Sequence, residues 1–203
     1  MKYKHRLKPL QGHYLNPVWQ ASILSLLAFF PWNLSTRAAT VERFSLEELA
    51  QKSTKIVIGQ CISVESRWNS KGTLILTYSR FSVSENLKGP GRSEVIVVTP
   101  GGTVGTKTQR VAGMPLYQAG QEAMLFLEPA RNGGWQTLGM GQGKFSIRQN
   151  PRTGVREAIH SLQGLEFYSA SGQETAADRN GSSFPLEQLI QRVREALPGQ
   201  RSE

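Results

Sequence analysis

The sequence predicts a mostly β fold, a small barrel or sandwich, with a short helix before the strands and an amphipathic helix after them. Three observations predict it. Short β-prone runs between residues 55 and 160 alternate with turns rich in Gly, Pro and Asn. No helical pattern of about 10–15 residues separates these runs, which argues against βαβ units. Helix signals occur only before and after the strands.

Residues 1–39 have the three parts of a secretory signal. A basic start is followed by an apolar stretch at 18–32, and the small residues Thr36 and Ala38 predict cleavage near Ala38 or Ala39. An uncleaved membrane anchor is the alternative. The apolar stretch is shorter than the roughly 20 residues that span a bilayer, so we predict export to the periplasm or cell exterior, with no membrane contact after cleavage.

The net charge of +9 is concentrated at this N-terminus. Residues 1–39 carry five basic residues and no carboxylate, so taking those five charges from +9 leaves +4. The high pI is therefore no indication of nucleic-acid binding. The rest is long enough for one domain with its own core. We predict a barrel domain at 40–168, a flexible linker at 169–183 and a C-terminal helix at 184–203.

The first helix is predicted from a capping box. Ser45 can accept a hydrogen bond from the backbone of Glu48, whose side chain can reach back, and Phe44 and Leu49 are placed as a hydrophobic staple. The helix should end near Lys52 or Ser53.

The first two strands are long and are predicted at 55–67 and 73–86. Four apolar residues of the first strand have one parity and should share one face: Ile56, Ile58, Ile62 and Val64. Gly59 indicates a bulge or a close backbone approach, and Cys61, the one cysteine, is predicted to be buried and structural. A change of apolar phase along the second strand predicts a bulge near Ser79 and Arg80. Long, bent strands favour a barrel.

Further strands are predicted at 94–99, 122–127, 135–138, 144–148 and 155–160. The C-terminal helix has an apolar stripe of Leu186, Leu189, Ile190, Val193 and Leu197. Such stripes usually face a core, so we expect this helix to pack on the strands; binding of a partner is the alternative.

Catalytic and metal-binding groups are scarce. After residue 39 the chain has one histidine, His160, and one aspartate, Asp178. Neither a Ser-His-Asp arrangement nor a zinc or calcium site has its ligand spacing, so we predict no catalytic residue, no metal and no cofactor, and His160 as a packing or surface residue. The stretch 101–108 resembles a phosphate loop, but Thr106 separates the glycine from the lysine and no helix follows.

The long loop at 100–120 carries the candidate binding residues, which are Lys107, Arg110, Met114 and Tyr117. Loops on rigid scaffolds often carry function, and this one is basic and partly apolar. It is predicted to contact a protein or envelope partner, with a solvated connector as the alternative. Nucleic acid is not predicted as a partner: Trp68, Tyr78 and Phe81 give only a faint version of the aromatic pattern that it requires, and the predicted export argues against it.

Five segments together resemble the netrin-like module of tissue inhibitors of metalloproteases: 56–60, 72–78, 81–83, 87–89 and 120–127. Exported bacterial proteins with this domain look similar. The resemblance covers about residues 55–127 and implies an OB-like, five-stranded Greek-key barrel and a protein-binding role. It does not imply zinc-chelating inhibition, since no cysteine stands at the predicted mature N-terminus, and the disulfides of that family are impossible with Cys61 alone.

Three functions remain open. The first is a non-enzymatic exported domain that binds a protein or envelope partner. The second is a small hydrolase that uses Glu65, Glu85 or Glu122, which would then share a pocket. The third is a structural envelope protein without a specific ligand.

Overall fold

The structure is a computed structural model that describes residues 39–131, 133–163, 165–168, 174–176 and 182–197. Apart from Ala39, the predicted signal segment lies outside these residues. Among the residues described, no helix has the length and apolarity needed to cross a membrane.

Within these residues the mostly β prediction is confirmed, with one α-helix near each end. The helices are α1 (Leu46–Lys52) and α2 (Leu186–Ala196), and a short 3-10 helix spans Met140–Gly143. The strands are β1 (Ala39–Glu42), β2 (Lys55–Trp68), β3 (Ile75–Lys88), β4 (Glu94–Pro100), β5 (Gly102–Val104), β6 (Lys107–Gln109), β7 (Glu122–Pro129), β8 (Trp135–Thr137), β9 (Lys144–Gln149), β10 (Arg156–His160), β11 (Leu165–Tyr168), β12 (Glu174–Ala176) and β13 (Ser182–Pro185).

Five of the strands form an OB-like barrel. They follow one another in the order β7–β2–β3–β4–β8, and β8 returns to β7 as an antiparallel neighbour. The parallel contact between β4 and β8 is a single pair, Val97 with Trp135, so the barrel is not clearly closed there. Partly open, five-stranded barrels are typical of the OB fold. One core cluster fills the barrel: Val57, Cys61, Phe81, Val95, Val97, Tyr117, Ala123, Leu125 and Leu127.

The sheet continues beyond the barrel through β9, β10 and β13. This is possible because β7 shares one edge between β9, which pairs with its first half, and β8, which pairs with its second half. Both helices pack over this part of the sheet. The core between them includes Leu49, Ile56, Ile58, Met124, Phe126, Phe145, Ile147, Leu186, Leu189, Ile190 and Val193.

Helix α1 begins and ends as its sequence predicts. The Ser45 hydroxyl accepts a hydrogen bond from the Glu48 amide at 3.1 Å, and the Glu48 carboxylate accepts one from the Ser45 amide at 2.8 Å. The helix ends at Lys52. The Lys88 ammonium donates to two carbonyl groups of the last turn, both at 2.8 Å, and so satisfies acceptors that a helix end leaves open.

Helix α2 packs on the sheet, as its apolar stripe predicts, and the five stripe residues are buried. Arg192 pairs with Glu47 of α1 at 2.9 Å, and Arg194 pairs with Glu85 of β3 at 2.8 Å. These pairs are solvent-exposed and contribute little, so burial of the stripe holds the helix in place. Of the predicted linker, β12 and the first two residues of β13 are described; 169–173 and 177–181 lie outside the described residues.

The predicted single apolar face of β2 is wrong for its second half. Ile56 and Ile58 face the helices, whereas the side chains of Ile62 and Val64 are 45% and 39% exposed. A register shift between Cys61 and Ser63 leaves Ile62 without a partner on β3, and this bulge ends the simple alternation. Cys61 is buried, as predicted, and burial raises the pKa of its thiol.

The bulge predicted on β3 near Ser79 and Arg80 is also wrong. Its inward side chains alternate without a break: Ile75, Thr77, Ser79, Phe81 and Val83. The bulge at that level lies on the neighbouring strand β2 instead. Gly59 fulfils its prediction, since a register shift adjoins it and a Cβ there would lie 2.5 Å from the Ser82 carbonyl oxygen.

The loop predicted at 100–120 contains a small hairpin, β5–β6, that was not predicted from the sequence. The stretch that resembles a phosphate loop forms this hairpin, and Gly105 takes a left-handed conformation in its turn, with φ 57°. The hairpin rests against β2 and β3, where the space beside Gly102 is filled by the side chains of Ser66 and Thr77.

Candidate functional site

The four predicted binding residues do not form one surface. Lys107 on β6 and Arg110 just beyond it are exposed, Met114 is half-buried and Tyr117 is buried. The Tyr117 and Phe81 rings form an edge-to-face pair inside the barrel, with 5.2 Å between their centroids. Its side chain is therefore not accessible to a partner, and Lys107 and Arg110 remain as the exposed members of the predicted site.

The buried Tyr117 hydroxyl has no hydrogen-bond partner of good geometry among the described residues. Burial raises its pKa, and the Thr137 side chain acts in the opposite direction. A phenol held neutral in this way is a packing group and supplies no acid or base at neutral pH.

Lys144, at the start of β9, holds the second half of the long loop. Its ammonium donates to the Leu116 carbonyl and, at 3.3 Å, to the Gln121 side-chain oxygen, and it lies 4.9 Å from the centroid of the Tyr117 ring. It lines a cavity of about 220 Å³ together with Met114. Burial lowers the pKa of Lys144 to about 8, and Arg148 contributes in the same direction.

This arrangement fixes the loop and offers no evident nucleophile. An ammonium group has three donors, and here two carbonyl-type oxygens and one aromatic face receive them. A pKa of about 8 leaves the group mostly protonated at neutral pH, so these contacts persist. Local sequence offers little reason to select Lys144, because a lysine at a strand start is usually solvated.

We expect the contribution of Lys144 to stability to rise with pH between about 8 and 10.5. Its pKa is about 8 in the folded chain and has an ordinary value of 10.5, so the unfolded chain binds more protons in this window. The free energy of unfolding of the native protein, minus that of Lys144→Met, should therefore increase when urea titrations are repeated from pH 7 to pH 10. Lys107→Met, at an exposed lysine, is the control, and a difference that falls with pH would contradict the assignment.

His160 packs against Phe145, with the two rings stacked at 4.1 Å between centroids. Its Nε2 atom lies 2.8 Å from the Gln142 carbonyl oxygen. Burial lowers the pKa of His160 despite this hydrogen bond. The ring lines a cavity of about 230 Å³ between α1, α2 and β10. No cluster of three potential metal-binding side chains occurs in the part of the chain that the structure describes.

The three glutamates of the hydrolase hypothesis are not brought together. Glu122 pairs with Arg156 at 2.6 Å, Glu85 pairs with Arg194 at 2.8 Å, and Glu65 is exposed on the second half of β2. The described cavities do not hold two of them. The hypothesis therefore lacks the shared pocket that it requires.

The structure instead brings a set of side chains together on the outside of the barrel, on β2, β3 and β4. The register of the three strands aligns them in rows across the sheet. The rows are Ser63–Arg80–Ile96, Glu65–Tyr78–Val98 and Arg67–Leu76–Pro100. We call this surface the outer face. None of these residues belongs to the core beneath the two helices.

The outer face has an apolar middle and charged sides. Leu76 and Val98 are buried in the sheet, and Ile96 is exposed beside them. The Arg67 guanidinium lies 4.0 Å from the centroid of the Tyr78 ring. Arg80 pairs with the neighbouring Glu94 at 3.6 Å.

Sequence reasoning missed this surface, although part of its signal is present. Leu76 and Tyr78 have a common parity that predicts a shared face, but the bulge expected on β3 obscures which side of the sheet that face takes. Ile96 joins this surface only because β4 pairs with β3 in the observed register, which the sequence alone does not specify.

Comparison of the chain with models of known protein families, with curated proteins and with solved structures gives no match. The fold itself places the chain in the mostly β class, with one large sheet, five of whose strands follow an OB-like order, and two packed helices. The netrin-like resemblance stays a prediction from the sequence.

Proposed function

We propose that this chain is an exported, non-enzymatic domain that binds a protein or envelope partner through its outer face. The observation that carries the proposal is the exposed part of the outer face, where Ile96 of β4 lies opposite Arg80 of β3 and Tyr78 occupies the next row of the same face. In OB folds the corresponding face and its flanking loops bind oligonucleotides and oligosaccharides, so this position on the fold is one at which ligands are bound.

The chemistry of the outer face favours a protein over a nucleic acid. Arg67 and Arg80 are balanced by Glu65 and Glu94, so the surface lacks the positive excess that phosphate backbones require. Tyrosine and arginine around an exposed isoleucine are typical of the centres of protein interfaces. The exposed Lys107 and Arg110 are proposed to lie at the edge of this contact or outside it.

The remaining parts of the proposal have separate support. A non-enzymatic role is supported by the buried hydroxyl of Tyr117, the satisfied ammonium of Lys144 and the separated glutamates. Export is supported by the basic, apolar and small-residue order of residues 1–39.

The test is recovery of a partner from the envelope fraction by the native chain and by an Ile96→Asp variant, after intact mass has defined the mature N-terminus. We expect Ile96→Asp to weaken binding about tenfold or more, because a carboxylate in the centre of the contact loses its water without gaining a partner. Val155→Asp is the matched control, since Val155 is 47% exposed, close to the 41% of Ile96, and lies in the turn before β10.

Loss of the partner in Ile96→Asp but not in Val155→Asp supports the outer face. Equal binding by all three proteins would remove the outer face from the proposal. Absence of any partner for the native chain, together with turnover of a substrate, would overturn the binding function itself.

A further inference from the structure

The second half of β2 has a free edge. Strand β7 pairs with β2 only from Lys55 to Gln60. The loop after Met114 then makes the last backbone hydrogen bonds to this edge of β2. The Cys61 amide donates to the Gln121 carbonyl, and the Gly120 amide donates to the Cys61 carbonyl. From Ser63 to Trp68, β3 pairs with the other edge of β2, and no described strand pairs with this edge. The β5–β6 hairpin packs on the side chains of Ser66 and Thr77, on the inner face of the sheet.

The hydrogen-bond pattern shows which backbone groups face the free edge. The Asn69 amide donates to the Leu74 carbonyl, so that pair is joined across the β2–β3 ladder. Paired residues in an antiparallel ladder alternate between bonded and non-bonded. Trp68, Ser66 and Val64 are therefore at non-bonded positions, and their amide and carbonyl groups point away from β3.

We propose that a second copy of this chain adds to this edge as an antiparallel strand, with Ser66 of each copy at the two-fold axis. In this register Ser66 faces Ser66, and Val64 faces Trp68 of the second copy. All three are positions whose backbone groups point outward, so each contact is a hydrogen-bonded pair. The result is one sheet that runs through both barrels.

The charges on the edge select this register. With Ser66 on the axis, Glu65 of each copy lies opposite Arg67 of the other, which gives two favourable cross-strand pairs. Shifting the axis to Glu65 brings the two glutamates opposite each other, and shifting it to Arg67 does the same for the two arginines. Like charges directly opposite each other are destabilising.

The same charges usually protect a strand edge from unwanted pairing. Here the charges of Glu65 and Arg67 oppose pairing with most other strands. They favour a second copy of this chain, because two antiparallel copies centred on Ser66 place each glutamate opposite an arginine. In the dimer the exposed side chain of Val64 in each copy would pack against the exposed side chain of Trp68 in the other copy. A strand of this length buries less than a standard protein interface, so the dimer should be weak and concentration-dependent.

The test is sedimentation equilibrium of the protein in the form that the cell retains, over a series of concentrations. Glu65→Arg and Arg67→Glu each replace two attractive pairs by two repulsive ones, and each should weaken the association about tenfold. The double variant, with both changes, restores opposite charges in the reversed order and should recover most of the native association. Arg152→Glu, in the exposed turn between β9 and β10, changes the net charge by the same amount as Arg67→Glu and is the control for that variant.

Hydrogen exchange gives a second readout. In the native protein the amides of Val64, Ser66 and Trp68 should become protected as concentration rises, and in either single variant the same protection should need a concentration about tenfold higher. A native protein that stays monomeric at every concentration, or a double variant weaker than both single ones, would overturn the proposal. Glu65 and Arg67 also lie on the outer face, so Ile96→Asp is the variant that separates the two functions. Ile96 lies two strands away from the edge, and its change should weaken partner binding while self-association stays at the native level.

Discussion

Replacing Gly143 by alanine is expected to lower the free energy of unfolding by about 3 kcal/mol or more. Gly143 lies where the 3-10 helix joins β9. A Cβ at this position would lie 2.6 Å from the Leu138 carbonyl oxygen and 2.8 Å from the Phe126 carbonyl oxygen. The Phe126 carbonyl already accepts a hydrogen bond from the Leu138 amide at 2.9 Å. The new atom would therefore push apart backbone groups that are bonded to each other and are not free to rotate away.

The effect comes from space and not from backbone conformation, since Gly143 is not among the glycines with positive φ. Gly91→Ala is the matched control, because Gly91 also lacks a positive φ and a Cβ added there would have no atom within 4 Å. Its stability should stay within about 0.5 kcal/mol of the native value. Urea titration followed by tryptophan fluorescence measures both variants. Equal stability of the two would mean that β7, β8 and β9 do not meet as closely as described.

Elements specified by neighbouring residues were predicted well. The capping box of α1 involves only Ser45 and Glu48, and the stripe of α2 repeats along a single helix, so both could be derived from local spacing. The mostly β class followed from the same kind of local evidence. The order of the barrel strands was available only through a resemblance and not from any short-range pattern.

Elements that depend on strand pairing were predicted poorly. The bulge at Ile62 shifts the faces of β2, and its position depends on how β2 and β3 align, which local alternation does not reveal. Tyr117 looks like an exposed loop residue because nothing near it in sequence indicates that it enters the barrel. The outer face and the free edge of β2 share this origin, because both are produced by the register of long strands. Residues far apart in the chain form each of them, as Ile96 and Arg67 illustrate.

Replacing Leu189 by alanine is expected to lower the free energy of unfolding by about 2–5 kcal/mol. Leu189 is buried in the core between α1, α2 and the sheet, so truncation removes apolar contacts and leaves a cavity. Gln188→Ala is the control, since Gln188 is the exposed neighbour on the same helix and alanine is at least as good a helix former. Urea titration compares the two variants with the native chain.

The same pair of variants decides what α2 does. If the helix were held out to bind a partner, Leu189→Ala would leave the stability unchanged and weaken partner recovery. If α2 is part of the core, Leu189→Ala lowers stability, and at temperatures where the variant remains folded it binds the partner as the native chain does. Ile96→Asp should give the reverse result, with stability retained and binding lost, because its side chain is exposed on the outer face. The two variants together therefore separate the residues that build this fold from those that it presents to a partner.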